Sequence, residues 1–510
     1  MIALDKCLET LLDAYVKQHC AQQRRIGLLG TAAYLIGSKL ANTDDIHVAH
    51  IALCPLPETA DDEAGDMQSR LIDAEWISEH GSRVVRLLPG GISIVGLLWL
   101  ADKRLALPAR TMLIEALASI NKQSDALSSL ALRTSDPKMA LITVETPLGR
   151  PQGYIVDCTR KGAEGWQTKV AFTQVHIILN SELIIMIWAY MWNFKLDWIS
   201  LESSASVNMT VPINDPTMLS NFKRQFVAAI CEWTQDVVFS TFNNASKLKE
   251  LLYLFTDIAL VDGRLRHGDD PLRTGTNKKG RASNSPVRIE TFASIGTRKD
   301  KDCYHGIAQY CSLCIVELSA DINVRAAVPS KATVRQAVDA VKEHVIRSIC
   351  SRAELHYEST DVVEDEQKDR LSVHQLPRIA STPLPSQPAI VFSDFLFEGD
   401  SKFDAHESFN DYLTLDVNEE EIEDDLERHL EDTDLAEIGR SEEGPRRAHR
   451  SSSSASSHRS TSSSSLNRSL NHFISSTNQP LFTKNYLILV SIFVALIAIV
   501  IYILINSLGE

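Results

Sequence analysis

The sequence predicts a mixed α/β (α+β) body, then a polar tether, then one transmembrane helix. Three observations carry this expectation. Short, continuously apolar runs alternate with segments of helical periodicity through the first four hundred residues. Residues 441–480, including SSSSASSHRSTSSSS, are too polar and repetitive to bury a core. Tyr486 to Ile505 reads YLILVSIFVALIAIVIYILI, with no charge, Pro or Gly. About twenty residues at roughly 1.5 Å each cover about 30 Å, the thickness of a bilayer's hydrocarbon core.

The elements follow in order. Leu4, Leu8, Leu11, Leu12 and Tyr15 recur at helical spacing, which predicts an amphipathic helix over 2–20. Residues 25–36 and 46–54 read as buried strands, the second ended by Pro55 and Pro57. An acidic loop over 58–69 precedes a helix from Leu71 to Leu88, with Trp76, His80, Val84, Leu87 and Leu88 on one face. Pro89-Gly90-Gly91 stops that helix. A buried strand over 92–100, a helix over 108–122 and a strand pair at 139–145 and 152–158 complete a first domain, 1–165.

Residues 166–196 read as an atypical hydrophobic insertion, ending in SELIIMIWAYMWNF. Its uninterrupted apolar part is too short to span a bilayer. A second α/β region over 197–410 follows. It holds a strand closed by Pro212, a helix over 219–233, a polar mobile loop over 264–288 and a strand over 314–327. Ser330 is placed to cap a helix whose Val334, Val338, Val341, Val345 and Ile349 form an apolar stripe. Residues 376–388 are Pro-rich and 389–397 read as a late strand. An acidic segment covers 411–440, within which Glu419 to Glu437 reads as an acidic helix with a solvated face or a disordered run, and the tether, 441–485, leads to the span, 486–505.

Composition limits the functions open to this chain. Its formal charge of −15 argues against nucleic acid as a main partner. Nine cysteines, an odd count spread over Cys7 to Cys350, fit reduced thiols and not a disulfide framework. Arg446, Arg447, Arg450, Arg459, Arg468 and Lys484 precede the span with no acid after Glu443, which places the body in the cytosol. The tail after the span carries no basic residue, which favours the endoplasmic reticulum membrane. Asn208, Asn244 and Asn467 head sequons that this orientation keeps unglycosylated.

Motifs for chemistry are sparse. Gly275 and Gly280 have phosphate-loop spacing, but Arg281-Ala282 stand where Lys and Ser or Thr would meet phosphate and Mg²⁺. Cys311 and Cys314, near Cys303 and His305, lack a second CxxC and a standard zinc spacing. His47 and His50 lie three apart on a strand, so regular alternation would point them to opposite faces. No catalytic, cofactor or metal residue is expected. The residues singled out as structural, or as a partner surface, are Trp76, Glu79, His80, Pro89, Gly90 and Gly91.

The block Asp73 to His80 (DAEWISEH), followed by Arg86 to Ile92 (RLLPGGI), resembles the odorant-response-abnormal protein four family. So do Trp198 to Glu202 (WISLE), residues 328–345 and residues 376–397. The resemblance implies a membrane-anchored, non-catalytic adaptor for maturation and trafficking of G-protein-coupled odorant receptors. It further implies partnership with the protease specific for the UFM-type ubiquitin-like modifier. The order helix, strand, strand, helix, strand over 2–100 is similar to an MPN-type domain. In active MPN metalloproteases a His-x-His pair holds zinc. Here the strand runs into ADKRLALPAR at that place, so the usual zinc-activated water has no ligand pair. The competing reading is a membrane-tethered metallo-isopeptidase with an unrecognised zinc site.

Overall fold

The computed structural model describes residues 1–427 apart from 27–29, 40–44, 58–72, 103–108, 131–136, 148–149, 160–164, 173–197, 213–224, 226–227, 230–257, 263, 273–285, 291–305, 313–314 and 360–371. The chain divides into two compact units, Met1–Gly444 and Pro445–Glu510. The acidic loop, most of the hydrophobic insertion, most of the helix expected over 219–233, the Cys303, His305 and Cys314 positions, the tether and the apolar span lie outside the described residues. Among the described residues no helix is long and apolar enough to cross a membrane.

An eight-stranded sheet organises the first half. Its strands are β1 (Ile2–Leu4), β2 (Gly30–Lys39), β3 (Ile46–Leu53), β4 (Ser93–Ala101), β5 (Lys138–Glu145), β6 (Gln152–Asp157), β7 (Trp166–Thr168) and β8 (Val170–Phe172), in the order β7-β6-β5-β4-β2-β3-β1-β8. β7 and β8 sit at opposite ends of that order yet are separated in sequence by Lys169 alone. One short segment therefore pairs antiparallel with β6 through Thr168↔Gly153 and parallel with β1 through Val170↔Ile2, closing the sheet on itself. A Cβ on Gly153 would lie 2.4 Å from Val170 Cγ2, so the closure is tight. Closure removes two exposed edges. It also assigns residues 166–172 of the expected insertion to this sheet.

The N-terminal segment departs from the helical expectation. Ile2–Leu4 is a strand between β3 and β8, parallel to both, and helix α1 spans Cys7–Ile26. Burial decides this. Ile2 and Leu4 are sealed into the core beneath Leu8, Leu12 and Tyr15 of α1. The opposite face of the sheet packs against α2 (Ala74–Leu87) and α3 (Ala109–Leu130).

A second sheet has the order β11-β10-β12-β9-β14-β13-β15. Its spine is the antiparallel pair β9 (Trp198–Pro212) and β14 (Ile315–Pro329), in unbroken register from Trp198↔Pro329 to Pro212↔Ile315. Part of the expected mobile loop is ordered here: β10 (Ile258–Val261) pairs with β11 (Arg264–His267), and β12 (Val287–Glu290) lies parallel to β9. β13 (Gly306–Ser312) and β15 (Ser372–Gln375) complete it. Helix α4 (Val334–Ser359) covers this sheet with the expected stripe, where Val334, Val341, Val345 and Ile349 are buried and Val338 is half-buried. Its cap is Thr333 and not Ser330: Thr333 Oγ1 accepts from Gln336 N–H, while Gln336 Oε1 accepts from Thr333 N–H at 3.1 Å.

Past α4 the chain returns to the first core. The Pro-rich stretch is itself a strand, β16 (Arg378–Leu384), in an antiparallel hairpin with β17 (Gln387–Leu396). Pro383 is tolerated because it lies at the hairpin end, where the register shifts. The hairpin, helix α5 (Lys402–Leu413) and residues up to Ile422 share one cluster with α2, α3 and β4. Core membership therefore joins residues distant in the chain, across the divisions that composition marks.

Candidate functional site

Asp73 starts α2. Its carboxylate accepts from Trp76 N–H at 2.7 Å, satisfying one of the free donors of the first turn. Trp76 and His80 link α2 to its neighbours, and Glu79 lies beside them. Trp76 is half-buried, and its indole N–H donates to the Pro55 carbonyl at 2.9 Å, so the proline that ends β3 also receives the helix. His80 is buried between three rings: Tyr34 stacked at 5.6 Å, Tyr412 at 5.5 Å and Trp76 at 6.5 Å. Tyr34 Oη donates to the Ile77 carbonyl at 2.7 Å. Glu79 is exposed and pairs with Arg83 one turn on at 2.9 Å.

Burial governs His80. Desolvation, with Arg83 nearby, lowers its pKa to about 4, so the ring is neutral at physiological pH. His19, His47 and His50 are lowered by burial too, and burial, with Arg347 and Arg352 nearby, takes His344 down to about 3. A histidine held neutral in the fold contributes stability that is whole above its unfolded pKa near 6.5. That contribution is lost as pH falls toward the depressed folded value. The melting temperature is expected to drop progressively between pH 6.5 and about 4, and His80→Phe, which keeps a ring in place, should flatten part of that slope. A thermal melt taken at half-unit pH steps measures both.

His47 and His50 differ from the alternation expected of them. A bulge lies opposite Ile36 and Gly37, where the partner register jumps from His50 to Val48. Across it Ile46, Val48 and Ile51 keep to one core while Ala49, Ala52 and Cys54 keep to the other. The phase of the strand has flipped, so spacing alone does not separate the two histidines. Their surroundings do. His50 is within 2.7 Å of the Leu413 carbonyl through Nε2 and packs near Phe392.

The Pro89-Gly90-Gly91 turn docks on α4. Arg347 spreads one guanidinium nitrogen over the carbonyls of Leu88, Pro89 and Ile92, at 2.6, 2.9 and 3.2 Å. Its other terminal nitrogen pairs with Glu343 at 2.5 Å, both side chains being over 90% buried. Gly90 N–H donates to His344 Nδ1 and Gly91 N–H to Glu343 Oε2, each at 3.3 Å. The Gly90 carbonyl accepts from Ala327 N–H at 3.0 Å. The two glycines are needed for different reasons. Gly91 has φ +81°, a conformation that disfavours side chains. Gly90 is fixed by approach: a Cβ there would lie 1.9 Å from the Ala340 carbonyl oxygen.

The six residues singled out from sequence thus fall into two groups. Trp76 and His80 join an aromatic cluster with Tyr34 and Tyr412, with Glu79 on its rim. Pro89, Gly90 and Gly91 form a socket for α4. Glu343, His344 and Arg347 were missed because charged residues at helical spacing read as a solvated face. Tyr34 and Tyr412 are far apart in sequence and give no local signal. Among the described residues no group of three or more His, Cys, Asp or Glu could hold a metal ion. Trp76→Phe, which keeps the ring and removes the bond to Pro55, is expected to cost about 1 kcal/mol by chemical denaturation; Trp76→Ala should cost about 2 kcal/mol, the ring being only half-buried.

The fold and this site define a mixed α/β protein whose two larger sheets are bridged by a helix with a buried polar face and by the β16–β17 hairpin. The chain belongs to the ODR4-like (odorant response abnormal 4-like) family, which it matches over residues 34–424. It is 31% identical to Odorant response abnormal protein 4 of Caenorhabditis elegans, over 84% of this chain and 82% of that one. It is 20% identical to the protein odr-4 homolog of Mus musculus, over 81% of this chain and 84% of that one. Among solved structures, UfSP from C. elegans aligns with 81% of this chain and 56% of its own, at 7% identity and a TM-score of 0.31, which carries no argument about fold or partner.

Proposed function

We propose that this chain is a tail-anchored, non-catalytic adaptor of the endoplasmic reticulum that promotes maturation and trafficking of odorant receptors of the G-protein-coupled class. The observation that carries the reading is membership of a family whose curated relatives are named for the odorant response. The apolar segment 486–505 and its basic flank support the anchor and its orientation. The side chains of the candidate site support a scaffold role. Trp76, Arg347 and Glu343 are spent on packing and on backbone groups, and His80 is neutral and enclosed by rings.

The adaptor recruits the protease specific for the UFM-type modifier, and its first domain is of the MPN type without the metal motif. The order β1, α1, β2, β3, α2, β4 supports this reading. The reading makes the protein a docking platform and not an isopeptidase. Topology tests the anchor. A glycosylation acceptor appended after Glu510 should be modified in microsomes, while Asn208, Asn244 and Asn467 stay bare. Deleting 484–510 should move the protein to the soluble fraction. Glycan on a native sequon, or a truncated chain that resists carbonate extraction, would contradict the proposal.

A further inference from the structure

After Leu413 the chain stays on the body. Thr414 takes a left-handed conformation (φ +52°) that closes α5, and its Oγ1 accepts from Leu53 N–H at 2.9 Å. Leu415, Val417 and Ile422 enter the same core as α2 and β17. Ser381 of β16 and Glu423 exchange both backbone hydrogen bonds at 2.8 Å, so the segment adds one rung to the hairpin. The acids that follow, expected as a solvated run, are met by bases of the body. Glu423 pairs with Arg325 at 2.7 Å. Asp424 pairs with Lys402 at 3.2 Å and Arg378 at 3.3 Å, and these two bases also donate to the backbone carbonyls of Ile422 and Asp424.

Glu427 is different in kind. Its two oxygens receive the two terminal nitrogens of Arg352 at 2.5 and 2.7 Å, and Oε2 also accepts from Ile379 N–H at 2.8 Å. Arg352 donates further to the Pro377 carbonyl and to Ser348 Oγ. Both side chains are almost wholly buried, at 1% and 2% exposure. Exposed ion pairs contribute little. A desolvated carboxylate is tolerated only in such a bidentate, fully hydrogen-bonded setting, which admits one register of the segment and no neighbouring one.

We propose that residues 415–427 are a clamp that holds the C-terminal part of the chain on the body by noncovalent contacts alone, with Arg352–Glu427 as its lock. Glu427 is thereby held by α4, well past the end of α5. The same helix grips the Pro89-Gly90-Gly91 turn through Arg347 and the clamp through Arg352. The inference does not rest on the adaptor reading.

The test uses the full chain in detergent. A recognition sequence for a site-specific protease is inserted between Glu420 and Glu421, in the exposed turn that precedes Ile422. After cleavage, nearly all of the C-terminal fragment should co-elute with the body. Glu427→Gln and Arg352→Met should each lower the retained fraction at least tenfold, and Arg352→Met/Glu427→Leu should recover part of it by replacing both charges with apolar groups. Melts of the uncut variants identify any that fail to fold, and for such a variant the double substitution decides. Release of the fragment from the cut but otherwise native chain overturns the clamp. Unchanged retention in Glu427→Gln overturns the lock.

Discussion

Gly90→Ala is expected to lower stability by roughly 3 kcal/mol, a large effect for one added methyl group. The cause is the 1.9 Å approach of the new Cβ to the Ala340 carbonyl oxygen, with His344 Cβ and N both at 2.8 Å on another side. These obstacles belong to helix α4 and cannot rotate away as a flexible side chain would. Relief requires the turn to lift from the helix. Lifting it separates Arg347 from the Leu88, Pro89 and Ile92 carbonyls and Gly90 N–H from His344. A melting temperature lower by roughly 5 °C or more is expected in a thermal scan, accompanied by faster proteolysis between α2 and β4. Gly91→Ala should also destabilise, through φ +81° and the Ala327 carbonyl 2.3 Å from the added carbon.

Arg347→Met is expected to cost roughly 3–5 kcal/mol, because it removes the guanidinium that neutralises the buried Glu343 carboxylate. It also strips the main donor from three carbonyls at the end of α2 and the start of β4. Arg347→Met/Glu343→Leu should recover much of the loss, since both charges then leave the interior together. Denaturant unfolding of the two singles and the double completes the cycle. Additive losses, with no recovery in the double, would show that the pair is not coupled.

Much of the fold was legible from local pattern. β2, β3 and β4 are continuous apolar runs buried on both faces, and such runs announce themselves. Pro-Gly-Gly after Leu88 marked the end of α2, whereas its start, expected at Leu71, lies at Ala74 behind the Asp73 cap. Long-range pairing hid other elements. Ile2–Leu4 is a strand only because β3 and β8 flank it, and its apolar residues fit a helix equally well. Arg264–His267 looked like loop because its charges suit solvent, yet β10 supplies its partner.

The candidate site was half legible, for a related reason. Trp76 and Pro89-Gly90-Gly91 carry local signals of burial and turn. Glu343, His344, Arg347, Ser348, Ser351 and Arg352 form a polar helix face that normally points to water, and here every one of them is buried. What buries that face comes from elsewhere in the chain: the Pro89 turn for Arg347, Pro377 and Glu427 for Arg352. Part of the acidic segment departs from its solvated reading in the same way, since Glu423, Asp424 and Glu427 are matched by Arg325, Arg378, Lys402 and Arg352, far away in sequence. The bulge in β3 shows a third limit, because alternation fails wherever one residue is inserted.

Recruitment tests the adaptor account most directly. In cells lacking the endogenous protein, the fraction of the UFM-type protease that sediments with endoplasmic reticulum membranes is measured after return of the full chain, the chain without 484–510, or Trp76→Ala, each normalised to its own abundance. The account predicts that the full chain restores membrane association, that the anchorless chain binds the protease but leaves it soluble, and that Trp76→Ala, though less abundant, recruits as much protease per molecule as the full chain. A protease whose distribution is the same with and without the full chain would contradict it.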